Sequence, residues 1–67
     1  MRYADQPSIE AGLLFKTHSG LLVRTTGHTV YIQSVNKCVH QVVIVAQTGK
    51  GNEFLLNLDA AKPVDVG

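Results

Sequence analysis

The chain is predicted to fold as a small all-β antiparallel barrel of five or six strands, with one short helical turn near the C-terminal end. Three observations predict this. From Gly12 onward the apolar residues follow the period of strands rather than of a helix. β-Branched and aliphatic residues dominate, and turn signals recur about every eight to twelve residues. Two hairpin turns, considered separately, also place the same residues on one face.

Residues 1–9 are polar, with Pro7 and Ser8 near their end, and read as an irregular arm. Residues 10–67 read as one small domain, since 67 residues make a single domain at most. The first hairpin is read from His18-Ser19-Gly20, a three-residue loop with Gly20 in the left-handed position such loops prefer. Phe15 then faces Val23, and Leu13 faces Thr25. The second hairpin is read from Thr26-Gly27 as a two-residue loop, pairing Val23 with Val30 and Leu21 with Ile32. Both registers put Leu13, Phe15, Leu21, Val23, Val30 and Ile32 on one face, because strand side chains alternate strictly.

Residues 35–40 read as a connection or a ragged strand start. Gln41 to Gln47 is the strongest strand, with Val42-Val43-Ile44-Val45 apolar on both faces. Thr48-Gly49-Lys50-Gly51-Asn52 is a turn, and Phe54 to Leu58 is the returning strand. Asp59 is placed to cap a helical turn over Ala60-Ala61-Lys62. Pro63 ends that turn, and Val64-Asp65-Val66 reads as a short edge strand.

Meander hairpins, one helical turn and a short last strand form an order similar to that of the SH3-like small barrels. The resemblance covers about residues 10–66, rests on topology alone, and implies a fold rather than a ligand. The proline-peptide binders of that architecture use an aromatic groove. This chain has no Trp, and its aromatic residues are Tyr3, Phe15, Tyr31 and Phe54.

Composition narrows the function classes. Cys38 is the sole cysteine, which excludes an intrachain disulfide and a cysteine-rich zinc site, and suits a reducing cytoplasm. The net charge of +1 leaves no strong electrostatic footprint for nucleic acid. No apolar run reaches the length of a membrane span, and the first residues lack the apolar core of a signal peptide. A soluble cytoplasmic protein that does not engage a membrane is expected.

The outward face carries the functional signal. The registers place Leu14, Lys16, Leu22, Arg24 and Tyr31 outside, joined by Ile44 and Leu55. Exposed apolar stripes of this extent mark an interface, unless the arm and the last segment fold over them. The expected function is that of a non-enzymatic adaptor, modulator or subunit docking on protein through Leu14, Leu22, Tyr31, Ile44 and Leu55, as a homo-oligomer. The alternative is a nucleic-acid module stacking bases on Tyr31, with Lys16, Arg24, Gln33, Lys37 and Lys50 on the backbone. A third class, an enzyme completed only in an oligomer, has no residue pattern in its favour.

No cofactor or metal is expected. His18, His28 and His40 lack ligand spacing, although Cys38 and His40, two apart, point to the same face of a strand. Cys38 reads as a buried inert thiol. The five carboxylates are scattered, and the glycine-rich turn lacks the helix that must follow a phosphate loop.

Overall fold

The computed structural model describes residues 2–46 and 49–64. It is an all-β chain: β1 (Leu14–Lys16), β2 (Leu22–Ile32), β3 (Lys37–Ile44), β4 (Glu53–Leu56) and β5 (Lys62–Pro63). Single 3-10 turns lie at Tyr3–Asp5 and Leu58–Ala60. The strands form one five-stranded sheet in the order β4-β3-β2-β1-β5, and every pairing is antiparallel. β4 and β5 are its edges and do not pair with each other, so the sheet is open.

The first hairpin has the register its turn implies. Phe15 pairs with Val23, the Thr17 amide donates to the Leu21 carbonyl (2.8 Å), and Gly20 has φ +92°. The second differs. Thr26-Gly27 is not a turn, and β2 runs through it from Leu22 to Ile32. Thr25 pairs with Val42 and Thr29 with His40, so Thr26, Gly27 and His28 bulge opposite the lone Gln41. Gly27 supplies the bulge's positive φ of +91°. The chain reverses instead at Gln33–Asn36, where the Asn36 amide donates to the Gln33 carbonyl (3.2 Å) and Asn36 has φ +54°.

The bulge decides which side chains face inward. β2 does not reverse at Gly27, so its odd-numbered residues stay on one side throughout. Directly paired residues share a side. Val23, Thr25, Thr29 and Tyr31 therefore lie with Ile44, Val42, His40 and Cys38. Val30 and Ile32, expected inside, fall on the other side with Val39 and Lys37.

The buried cluster is Phe15, Val23, Val42, Ile44 and Leu58, with Tyr3, Leu13, Leu21, Phe54 and Leu56 packed around it. Thr25, also buried, ties the approach to β1. Its hydroxyl donates to the Glu10 carbonyl (2.7 Å) and accepts from the Leu13 amide (2.9 Å).

The C-terminal helical turn is present two residues earlier than expected. Asn57, not Asp59, caps Leu58–Ala60 by accepting from the Asp59 amide (3.1 Å). The strand expected over Phe54 to Leu58 is the shorter β4, Glu53–Leu56, with Leu58 in the turn that follows, and Lys62–Pro63, expected as turn and stop, is the last strand among the described residues. Gln47, the last residue of the expected strand from Gln41, Thr48, the first of the expected 48–52 turn, and Asp65 and Val66, in the expected edge strand, lie outside the described residues.

Candidate functional site

Three surfaces carry chemistry: a clamp holding the N-terminal segment, the outer sheet face, and two adjoining clefts at one end of the sheet.

The clamp is built from residues far apart in sequence. The Tyr3 amide donates to Asp59 Oδ1 and the Ala4 amide to Asp59 Oδ2, each at 2.9 Å. The carboxylate thus serves the orphan donors of a 3-10 turn it does not belong to. The Ala4 bond foremost holds the Asp59 carboxyl below its usual range; desolvation opposes it, and the Tyr3 bond and the Arg2 and Lys37 charges add to the lowering. The Tyr3 ring meets Phe15 edge-on, centroids 5.3 Å apart, and Ala4 is buried.

His40 completes the clamp. It is 0% exposed, with Nε2 2.9 Å from the Tyr3 carbonyl and Nδ1 2.7 Å from Thr29 Oγ1. A carbonyl only accepts, so Nε2 carries a hydrogen, and in the neutral ring the Thr29 hydroxyl donates to Nδ1. Both nitrogens are engaged, which removes His40 as a metal ligand. Among the described residues no three of His, Cys, Asp and Glu group as metal ligands would. Cys38 is a buried free thiol on the same side of β3 as His40.

The outer face differs in membership from the sequence reading. Leu14 and Leu22 are there, half-buried, and Leu55 is there at 47% exposure. Ile44 is not: it pairs with Val23 and sits in the core at 8% exposure. Tyr31 is exposed, but it lies on the opposite side of the sheet, paired with Cys38 and with its hydroxyl bonded to Asn36. In their place the outer face has Val30, Val39, Val43 and the exposed Ile32.

The residues of the alternative reading are likewise divided. Lys16 and Arg24 share the outer face, and Lys37 lies on it at the far end beside Ile32. Gln33 lies in the β2–β3 turn, Lys50 in the β3–β4 turn, and Tyr31 across the sheet. The stacking aromatic and the Lys16–Arg24 pair are therefore not brought together.

One cross-strand row traverses the outer face: Leu14 pairs with Arg24, Arg24 with Val43, and Val43 with Glu53. At the end of the sheet beyond β1, Lys16 and Lys62 are direct partners across β1 and β5.

Among the described residues, no helix is long and apolar enough to cross a membrane. Fold and surfaces define the class only as a small open-sheet β domain. Compared with protein-family models, curated proteins and solved structures, the chain matches none.

Proposed function

We propose that this chain is a small non-enzymatic binding protein of SH3-like small-barrel architecture, docking through the outer face of its sheet, with a second copy of itself as partner. The architecture is supported by the strand number and by the 3-10 turn that precedes the last strand. The docking role is carried by the row Leu14–Arg24–Val43–Glu53. Arg24 and Glu53 flank Val43 on neighbouring strands, so they stand roughly 10 Å apart on one row. A two-fold axis through Val43 sets Arg24 of each copy against Glu53 of the other, as a self-complementary interface requires.

Apolar side chains surround that axis. Leu22 and Leu14 lie on one side and Leu55 on the other, and Val30 and Val39 extend the patch along the strands. Leu55 and Ile32 are exposed and Leu14, Leu22, Val30, Val39 and Val43 half-buried, so a second copy recovers part of the roughly 1.5–3 kcal/mol that full burial of each large aliphatic side chain is worth.

The test is light scattering after size-exclusion chromatography. Wild type is expected to associate in the micromolar range. Leu22→Glu, which points away from the core, is expected to weaken association with the strand signal in circular dichroism intact. Glu53→Arg is expected to do the same, and Arg24→Glu/Glu53→Arg to restore it. A wild type strictly monomeric at high micromolar concentration refutes the proposal.

A further inference from the structure

The outer face does not account for the end of the sheet where the β1–β2 loop meets the second 3-10 turn. Two clefts adjoin there. The first, about 380 Å³, is walled by Lys16, Lys62, Thr17 and His18. The second, about 310 Å³, is walled chiefly by Leu21, Phe54, Leu56 and Ala60. Thr17, His18 and Ala60 line both, so one continues into the other. Each is at the lower end of the size range of small-molecule sites.

Their chemistry is opposed. Among the described residues no carboxylate lines the first cleft, where Lys16 and Lys62 are direct cross-strand partners. Like charges directly opposite one another disfavour pairing, and an anion between them reverses that cost. The second cleft marks where the open sheet leaves the rim of its core uncovered. Leu21, Phe54 and Leu56 all pack against the buried cluster from this side. Thr17 Oγ1 accepts from the Leu21 amide (3.0 Å) and is 3.0 Å from Ser19 Oγ, which fixes the loop between the clefts.

We infer that the paired clefts bind a small amphiphilic anion, a phosphate or carboxylate head on a short apolar body. The head lies between Lys16 and Lys62, and the body covers Leu21, Phe54 and Leu56. The site shares no residue with the Arg24–Glu53 row, although Lys16 pairs directly with Leu22 at the margin of the proposed interface; Glu53→Arg, two strands away from Leu22, separates failure of self-association from failure of ligand binding.

The experiment is a titration of the full chain with hexyl phosphate, followed by backbone amide chemical shifts, with inorganic phosphate and hexanol as head-only and body-only controls. Hexyl phosphate is expected to shift residues 17–21 and 60–62 and to bind at least tenfold more tightly than either control. Lys16→Gln/Lys62→Gln, altering two exposed side chains, is expected to weaken it about fivefold to tenfold, and added salt to act likewise. Ala60→Phe, at an exposed position, is expected to fill the shared rim and weaken hexyl phosphate while sparing inorganic phosphate.

Vesicles containing phosphatidic acid separate a lipid in a bilayer from a free ligand. Lysine-dependent binding of either supports the site. Equal affinity for hexanol and hexyl phosphate, unchanged binding by the double lysine variant, or shifts confined to other strands would overturn it.

Discussion

Replacing Asp59 with Asn tests the clamp on the N-terminal segment. The substitution keeps the shape and one acceptor oxygen, but it removes the charge and turns an amide NH2 toward a backbone N–H. One of two 2.9 Å bonds, to Tyr3 or to Ala4, is lost and the other is weakened. Removing a side-chain cap from a helical terminus costs about 0.5–2 kcal/mol, and the exposed position of Asp59 places the effect near about 1 kcal/mol. For a domain of this size that is a fall of about 4–8 °C in Tm. Locally it is about a fivefold rise in the open population of the segment, since 1.4 kcal/mol is about tenfold.

Hydrogen exchange of the Tyr3 and Ala4 amides reads the local term, and thermal unfolding reads the global one. The pH dependence supplies a further check. The folded-state carboxyl is held low, so its contribution is complete above the usual carboxylate range and is lost as pH falls through the folded value. Wild type is therefore expected to loosen its N-terminal segment in acid below about pH 4, whereas Asp59→Asn shows no such step at that site. Unchanged exchange at Tyr3 and Ala4 in Asp59→Asn, with unchanged Tm, would refute the clamp.

Two further substitutions probe features of the sheet. Gly27→Ala is expected to cost about 1–2 kcal/mol by denaturant unfolding, because the residue holds φ +91° and an added Cβ meets that of Ala11 at 3.3 Å. Cys38→Ser is expected to leave self-association and ligand binding intact and to cost on the order of 1 kcal/mol, because a more polar hydroxyl replaces a buried thiol; loss of either binding in a folded Cys38→Ser protein would show that the thiol has a role.

Much of the sheet is legible from local signals. The turn at His18–Gly20 fixes the Phe15–Val23 pairing because Gly20 there needs positive φ and few other arrangements of the loop exist. Thr26-Gly27 misleads because a glycine of positive φ serves a bulge as well as a turn, and the sequence does not separate them. Everything downstream follows from that ambiguity. Reversing at Gly27 sends Val30 and Ile32 inward and Tyr31 outward, whereas continuing through it does the opposite.

The better guide was the period-2 run Cys38, His40, Val42, Ile44, all buried, which places Ile44 in the core and His40 with it. The role of Asp59 had no local signal. Its partners stand at the other end of the chain, and at short range it resembles an ordinary cap for its own turn.

The clamp also orders events in time. Tyr3 and Asp59 are 56 positions apart. Bringing them together in an unfolded chain costs about 2 kcal/mol more loop entropy than closing a five-residue turn. Once β5 pairs with β1 that entropy has already been spent, and docking the first residues is a short local search. The segment is therefore the last part of the molecule to lock and the first to leave, and proteolytic nicking of the native state should begin ahead of β1, with the sheet still whole.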